Sequence, residues 1–233
     1  MSQTRPTILI TGANRGIGLG LACSFAEDGV RVIATCRRPQ AARELGALAA
    51  RYDVDLLELD VTSETSVAAA AGALDGEAID VLVLNAGVYG PRKRQGVESI
   101  DGRAWLDVLD VNVVGPMRVA LAMLPALERG SRRVIAALTS QMGSIARSWG
   151  GSYAYRSSKA GLNAAMKALA IDLQPRGITV LMLHPGWVRT DMGGDGATLE
   201  VGESVRGLRA ILDRASIDHS GRFFDVDGSE VPW

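Results

Sequence analysis

The sequence predicts an α/β fold: a single-domain, doubly wound, Rossmann-type parallel sheet of about seven strands, with helices on both faces. Three observations predict it. Short apolar runs alternate with longer helical patterns along all 233 residues. The short runs are continuously apolar, as in strands that are buried on both faces. A glycine-rich turn joins the first apolar run to the first helical pattern, which is typical of doubly wound sheets.

Each strand is assigned from an apolar run bounded by turn or helix residues. The first, Thr7-Ile8-Leu9-Ile10, follows Pro6 and ends at a glycine turn, and the others follow the helical stretches. The predicted strands are Thr7–Ile10, Val30–Thr35, Asp55–Leu59, Asp80–Leu84, Val134–Leu138, Ile178–Leu183 and Arg222–Asp225. Because helices separate these strands, we expect right-handed crossovers between parallel neighbours.

The helices are assigned to the longer stretches, where apolar residues recur at helical spacing. The fourth of them contains Pro116, which is able to interrupt it. The predicted helices are Ile17–Asp28, Gln40–Arg51, Glu64–Leu74, Gly102–Glu128, Tyr153–Leu173 and Val201–Arg214. The chain has no repeat, linker or low-complexity segment, so we expect residues 1–233 to form a single domain.

Composition excludes several classes of protein. Hydrophobic residues make up 47% and charged residues 22%, and the formal net charge is −1, which argues against a nucleic-acid-binding or basic membrane-surface protein. The two cysteines lie in apolar stretches, and neither a signal-peptide core nor an apolar run of membrane-spanning length is present. A cytoplasmic protein in a reducing compartment is therefore expected.

A glycine-rich loop, residues 11–18, follows the first predicted strand and reads Thr-Gly-Ala-Asn-Arg-Gly-Ile-Gly. Its glycines allow a sharp strand-to-helix turn and a close approach of a pyrophosphate to the helix N-terminus. A tight turn without a ligand is the alternative. The position between strand and helix favours a dinucleotide site. Its predicted members are Gly12, Asn14, Arg15, Gly16, Ile17 and Gly18.

The end of the second strand predicts which dinucleotide binds. NAD-preferring folds place an acidic residue there for the ribose hydroxyls, whereas this chain has Cys36-Arg37-Arg38. Arg37 and Arg15 together would bind a 2′-phosphate through charge-assisted hydrogen bonds, which predicts NADP(H). Alternatively, Arg37 and Arg38 are solvated residues at a helix start. Asp60-Val61, after the third strand, either reaches the adenine edge or has Asp60 capping a turn.

Four polar residues predict acid–base catalysis. Tyr155 and Lys159 lie four residues apart on a strong helical pattern and therefore share one face. Ser140 follows the fifth strand, and Asn112 lies in the helix before it. A Tyr–Lys pair at this spacing is also common on protein surfaces, but here it accompanies a nucleotide loop. The isolated His184 and His219 do not form a metal-ligand cluster, and no metal is expected.

These motifs together resemble the short-chain dehydrogenase/reductase family over practically the whole chain. The resemblance is carried by the glycine loop, Leu84-Asn85-Ala86-Gly87, Asn112, Ser140, Tyr155-x-x-x-Lys159 and Pro185-Gly186. The stretches 184–194 and 223–233 look like the C-factor-like and carbonyl-reductase-like branch. The resemblance implies hydride transfer between NADP(H) and a small-molecule carbonyl or alcohol.

The resemblance also implies individual roles. Tyr155 would be the general acid/base, Ser140 would donate a hydrogen bond to the substrate oxygen, and Asn112 would hold a proton-relay water. Lys159 would bind the nicotinamide ribose and lower the pKa of Tyr155. Cofactor contacts are further implied for Asn85, Ala86, Gly87, Pro185, Gly186, Val188 and Thr190, although Asn85–Gly87 is equally able to stabilise the sheet.

Two features depart from the common pattern. Ser140 lies fifteen positions before Tyr155, where thirteen is commoner, so we infer a two-residue insertion near Trp149-Gly150-Gly151 and keep Ser144 as the lesser candidate. The segment after Thr190 is short and rich in glycine, which predicts an open or mobile substrate site. Five apolar residues nearby would either line an apolar substrate pocket or simply pack against the rest of the protein. They are Met142, Trp149, Tyr153, Trp187 and Met192.

Two other functions compete with the reductase or dehydrogenase hypothesis. A nucleotide-binding signalling or regulatory protein would use the same fold with little turnover, but it would not need the proton relay. A nucleotide-sugar epimerase would need more residues after the sixth strand. The family resemblance further implies a homodimer or homotetramer, in which the helices 102–128 and 153–173 pair through small residues such as Ala164, Ala165, Ala168 and Ala170.

Overall fold

The computed structural model describes residues 5–91 and 95–233. Its strands are β1 (Thr7–Ile10), β2 (Arg31–Cys36), β3 (Val54–Glu58), β4 (Val81–Leu84), β5 (Gln95–Gly96), β6 (Ser99–Ile100), β7 (Val134–Leu138), β8 (Thr179–Leu183) and β9 (Phe223–Phe224). Seven of them form one parallel sheet in the order β3-β2-β1-β4-β7-β8-β9. This confirms the predicted doubly wound fold.

The helices cover both faces of the sheet. They are α1 (Gly16–Glu27), α2 (Arg43–Ala49), α3 (Glu64–Ala73), α4 (Gly102–Leu109), α5 (Gly115–Ala122), α6 (Leu124–Arg129), α7 (Tyr153–Leu173) and α8 (Val201–Asp213). One buried apolar cluster packs α3, α5 and α7 against the sheet, and a second packs α1, α2 and α8 against the opposite face. None of the helices within the described parts of the chain is long and apolar enough to cross a membrane.

The predicted helix Gly102–Glu128 is corrected in the structure to three helices with a wide turn between the first two. A π-helical turn, Asp110–Val114, separates α4 from α5, and Pro116 and Pro125 lie in the first turns of α5 and α6. Proline fits a first turn because its missing N–H group has no intrahelical partner there. The second predicted helix, Gln40–Arg51, is also shorter, with a separate 3-10 turn at Pro39–Ala41.

A small hairpin between β4 and α4 was not predicted. It pairs β5 with β6 in antiparallel fashion, and each strand has only two residues. Strands this short carry no alternation of polar and apolar residues, so periodicity gives no signal for them. The hairpin is relevant to the site because Gln95, its first described residue, is buried and reaches the start of α7.

The sheet topology determines where a ligand site can form. From β1 the chain proceeds through β2 and β3 on one side, then crosses to β4 and β7 on the other. In open α/β sheets, ligands bind at this reversal, beyond the carboxyl ends of the strands. Here the glycine loop follows β1, and residues 85–87 follow β4, so both lie at the reversal.

Candidate active site

The glycine loop has the geometry required to cradle a phosphate. Gly12 and Gly16 adopt left-handed backbone angles, with φ of +65° and +56°. A Cβ atom on Gly18 would lie 2.5 Å from Asn85 Nδ2 and 2.6 Å from the Gly12 carbonyl oxygen, so only glycine fits there. Among the described residues no side chain caps α1, which leaves the N–H groups of its first turn available to an anion. These features fit the pyrophosphate of a dinucleotide.

The loop is held in place by the strand on the other side of the topological reversal. Asn85 Nδ2 donates hydrogen bonds to the carbonyl oxygens of Thr11 and Gly12, at 2.8 and 3.0 Å. The Thr11 hydroxyl accepts from the backbone N–H groups of Asn85 and Ala86, both at 3.0 Å. The structural interpretation of Asn85 and Ala86 is therefore observed, while their contact with a ribose stays a prediction.

The segment after β8 folds over the glycine loop. Gly186 turns the chain with φ of +83°, and the Thr190 methyl carbon lies 3.3 Å from where a Gly16 Cβ would be. Arg15 forms an ion pair with Asp191, next to Thr190. This arrangement places Thr190 beside the glycine loop. The cofactor contacts of Pro185, Gly186, Val188 and Thr190 stay predictions.

The same segment contains several hydrogen bonds between its own residues. Trp187 accepts backbone hydrogen bonds from Thr198 and Leu199, and its indole Nε1 donates to Gly193 at 3.0 Å. Val188 is buried and bridges to Leu199. The segment is thus internally hydrogen-bonded, and the open or mobile substrate site stays a prediction.

Arg37 and Asp60 lie close together at the carboxyl ends of β2 and β3. A hydrogen bond from the Thr62 hydroxyl lowers the pKa of Asp60, and the nearby Arg37 guanidinium contributes in the same direction. Because Asp60 Oδ1 accepts from both the hydroxyl and the N–H of Thr62, the turn-capping alternative for Asp60 is observed. Val61 is buried, and its carbonyl accepts from Arg118 at 2.7 Å. The adenine contact of these two residues stays a prediction.

Tyr155, Ser140 and Lys159 meet at the carboxyl end of β7. Tyr155 and Lys159 are buried in α7, and the Ser140 hydroxyl lies close enough to the Tyr155 phenol to lower its pKa, despite the fifteen-residue spacing. Lys159 Nζ lies 5.8 Å from the centre of the Tyr155 ring and donates to the Leu138 carbonyl at 2.8 Å. Gly87 lies beside this amine: a Cβ there would be in ordinary contact with Nζ, at 3.7 Å, and tighter against Asn112 Oδ1, at 3.2 Å.

The protonation of this pair differs from the sequence-based expectation. Burial raises the pKa of Tyr155 to about 12, although the Ser140 hydrogen bond lowers it, and Tyr89 raises it further. Burial also lowers the pKa of Lys159 to about 8. The expectation that Lys159 lowers the pKa of Tyr155 is therefore corrected: in this structure desolvation outweighs every favourable interaction at the phenol.

The hydrogen bonds of Ser144 bear on the choice between Ser140 and Ser144. The Ser144 hydroxyl donates to the Pro232 carbonyl at 2.6 Å and accepts from the Arg147 N–H at 3.2 Å. It thereby anchors the loop that precedes α7, whereas Ser140 faces Tyr155. The geometry favours Ser140 over Ser144 as the partner of a substrate oxygen.

Asn112 lies within the π-helical turn, a kind of helix defect that is frequent at functional sites. Its amide makes a reciprocal pair with the Val88 backbone, at 2.9 Å to the N–H and 2.8 Å to the carbonyl, and also donates to Ser158 Oγ at 3.0 Å. The side chain thus ties the segment after Gly87 to α7, and its proposed relay water stays a prediction.

Two residues that support Tyr155 were missed in the sequence. The Tyr89 ring lies 4.7 Å from the Tyr155 ring, centre to centre. Gln95 Oε1 accepts from the Tyr155 N–H at 3.0 Å, while its Nε2 donates to the Tyr89 carbonyl at 2.8 Å. Both are long-range contacts, and the local sequence around Tyr89 and Gln95 has no pattern that would have revealed them.

A glycine loop at the topological reversal, next to a buried Tyr–Ser–Lys group, defines an oxidoreductase of the Rossmann class. Residues 6–198 match the family model described as short chain dehydrogenase, and the chain belongs to that family. This confirms the resemblance seen in the sequence.

Three similar proteins illustrate the branch. The C-signal of Myxococcus xanthus is 49% identical over 156 residues, which cover 66% of this chain and 93% of that protein. The carbonyl reductase Sniffer of D. melanogaster is 34% identical, with a TM-score of 0.90, over 99% of this chain and 100% of that one. An NADPH-bound carbonyl reductase from chicken fatty liver is 32% identical, with a TM-score of 0.92 and the same coverage.

Proposed function

We propose that this protein is an NADPH-dependent carbonyl reductase in which Tyr155 is the proton donor. The observation that carries the proposal is the buried Tyr155, which lies beside Ser140 and one helical turn from Lys159, at the edge of the sheet where the glycine loop lies. Three side chains and the glycine loop would together supply a proton, a hydrogen bond to the substrate oxygen, a positive charge and a phosphate cradle. The solved carbonyl reductases with similar folds support this choice.

When bound, NADPH supplies the hydride that reduces the carbonyl carbon. The chain's own residues handle the oxygen: Ser140 donates a hydrogen bond to it as negative charge develops, and Tyr155 transfers its phenolic proton. Because burial raises the pKa of Tyr155 to about 12, the phenol retains its proton throughout the neutral range, as reduction requires. Lys159 would hold the nicotinamide ribose and bring positive charge toward the phenol.

The preference for NADPH over NADH rests on the residue that follows β2. The chain has Arg37 there instead of an acidic residue, and Arg37 is exposed at the carboxyl edge of the sheet. A guanidinium is suited to a 2′-phosphate because its planar fork matches two phosphate oxygens. Arg15 contributes only if its ion pair with Asp191 rearranges around the phosphate.

The test is NADPH oxidation against a panel of aldehydes, ketones and quinones, with wild-type protein and Tyr155→Phe. Phenylalanine preserves the ring contact with Tyr89 but has no proton to give, so we expect turnover to fall by about a hundredfold or more. The dissociation constants of NADPH for the wild type and for Tyr155→Phe should agree within a few-fold. Near-normal turnover in the variant would remove Tyr155 from the mechanism.

A signalling role is the second candidate, and the similarity to a protein named C-signal favours keeping it. The same panel separates the two functions. A signalling protein of this fold would bind NADPH and leave every carbonyl in the panel unreduced. Measurable reduction that depends on Tyr155 supports the enzyme.

We further propose a cytoplasmic homo-oligomer. The thiols of Cys23 and Cys36 are free, which fits a reducing compartment. Exposed apolar side chains on α4, α5 and α7 supply apolar surface for self-association.

A further inference from the structure

Arg156, the residue after Tyr155, carries a buried charge whose hydrogen-bonding groups are largely unused. The residue is only 8% exposed. Its Nε and Nη2 atoms are buried without a hydrogen-bond partner among the residues that the structure describes, and Nη1 lies 3.4 Å from the Met142 carbonyl. A guanidinium stays protonated in proteins, so it cannot relieve this situation by losing its charge. Leaving such donors unpaired costs free energy, and an anion would remove that cost.

The Trp149 ring covers the guanidinium and lies in a loop whose two glycines allow the ring to move away. The Arg156 Cζ atom lies 4.0 Å from the centre of the indole ring, while the Trp149 residue itself is 56% exposed. Gly150 and Gly151 follow at once, and Gly151 has φ of +81°. The ring therefore shields Arg156 from water, and rotation of the glycine pair would uncover the charge to a ligand beside Tyr155.

The surroundings of Arg156 favour an anion over any other ligand. Between Ser140 and Lys159 the sequence has three basic residues, Arg147, Arg156 and Lys159, and no acidic one. The sequence 85–97, whose residues Tyr89 and Gln95 contact Tyr155 or its neighbours, also has no acidic residue. No carboxylate of these segments is available to pair with the guanidinium.

We propose that Arg156 binds a carboxylate group of the substrate, so that the preferred substrates are aldehydes or ketones bearing a carboxylate several bonds from the reacting carbonyl. The inference rests on the proposed reductase function and adds the substrate class. Arg156 lies in α7, and its side chain reaches the turn that begins at Ser140, where Nη1 is 3.4 Å from the Met142 carbonyl. Its planar fork is suited to bidentate contact with a carboxylate. Trp149 moves aside when the acid binds and then covers the apolar body of the substrate.

The test compares 4-formylbenzoate with its methyl ester, since the two share the reacting aldehyde and differ in charge at the far end. We expect wild-type kcat/KM to be higher for the acid. Arg156→Met should lower the acid-to-ester ratio by about tenfold or more, because it removes a charge-assisted contact. Arg156→Lys should retain part of the preference. Arg147→Met is the matched control, because it removes an exposed positive charge from the same loop, and its ratio should stay near that of the wild type.

Binding provides a readout that does not depend on turnover. Calorimetric titration of the NADPH complex with benzoate should show binding to the wild type and to Arg147→Met, and binding weakened by about tenfold or more in Arg156→Met. A wild-type enzyme that reduces the ester as well as the acid would overturn the substrate class while leaving the reductase function intact. Equal losses for both substrates in Arg156→Met would overturn it too, showing that the residue only supports the loop. Absence of reduction with either aldehyde and across the panel would instead contradict the proposed function itself.

Discussion

At the scale of single residues, desolvation dominates the candidate active site. Tyr155 and Lys159 are both almost completely buried, and burial shifts each pKa toward the neutral form of the side chain. The ammonium of Lys159 has one backbone acceptor, the Leu138 carbonyl, at 2.8 Å. The protein thus keeps a costly charge where a ribose hydroxyl would meet it.

Substitution of Lys159 by methionine should therefore stabilise the cofactor-free protein near pH 7 while abolishing turnover. The fall in the pKa of Lys159 from 10.5 to about 8 corresponds to about 3 kcal/mol. Loss of the hydrogen bond to the Leu138 carbonyl costs the variant about 1 kcal/mol. The free energy of unfolding of Lys159→Met should therefore exceed that of the wild type by about 2 kcal/mol. Thermal or urea unfolding of both proteins at pH 7 measures it.

The stability difference between Lys159→Met and the wild type should depend on pH. Between pH 8 and about 10.5 the unfolded chain binds more protons at this lysine than the folded chain does, so the wild type gains stability as pH rises. The advantage of Lys159→Met should accordingly be fully present below about pH 8 and shrink toward pH 10. A variant that is less stable than the wild type at pH 7, by an amount independent of pH, would contradict the account.

Replacement of Arg37 by alanine tests the cofactor assignment at the same scale. If Arg37 contacts the 2′-phosphate, its loss should weaken NADPH binding by about tenfold or more and leave NADH binding nearly unchanged, because NADH has no group at that position. Dissociation constants for both cofactors, before and after substitution, give the answer. Arg38→Ala is the matched control, as the neighbouring exposed arginine. Equal losses for the two cofactors would mean that Arg37 supports the loop or the adenine.

Sequence reasoning located the residues whose chemistry is tied to a local pattern. The glycine loop follows from its spacing after a strand, and Tyr155 and Lys159 from their separation on a helix. Contacts between distant segments gave no such signal. Two examples are the hydrogen bond between the Gln95 side chain and the start of α7, and the ion pair between Arg15 of the glycine loop and Asp191. The sequence also could not predict the protonation state of Tyr155, because its pKa depends on burial that only the folded chain creates.

At the scale of secondary-structure elements, the strands were easier to predict than the helices. The central strands β1, β4, β7 and β8 are fully buried and almost entirely apolar, and the predicted strands of the parallel sheet differ from the observed ones mainly at their ends. The segment 102–129 was harder, because its apolar spacing continues through the π-helical turn that carries Asn112. That turn depends on long-range hydrogen bonds from Asn112 to Val88 and Ser158, which helical periodicity does not reveal.

The helices α4, α5 and α7 carry the prediction of self-association. Leu106, Leu121 and Ile171 are each more than half exposed, and Ala164 and Ala168 form a small exposed stripe on α7. Ala170, which was expected on the same face, is instead buried in the core. We expect a homodimer or homotetramer by light scattering at micromolar concentration, since burial of these side chains favours association. A monomer at that concentration would refute the prediction.

At the scale of the whole molecule, the parallel sheet explains why residues so distant in sequence form one site. The glycine loop, Arg37, Asp60, Asn85, Ser140 and Pro185 each follow a different strand, and all those strands point the same way. The α7 helix then brings Tyr155 and Lys159 to the same edge, held by Gln95 from one side and by the turn at Gly143 from the other. One edge of the fold thus carries both the phosphate cradle and the proposed proton donor.

The central claim is that this edge transfers a hydride from NADPH to a carbonyl carbon. Its most direct test is a reaction of methyl 4-formylbenzoate with NADPH deuterated at both C4 positions, followed by mass spectrometry of the alcohol. We expect an alcohol that carries a single deuterium on the former carbonyl carbon and is formed at least about a hundredfold more slowly by Tyr155→Phe. An alcohol without deuterium, or NADPH consumption that yields no alcohol, would contradict it.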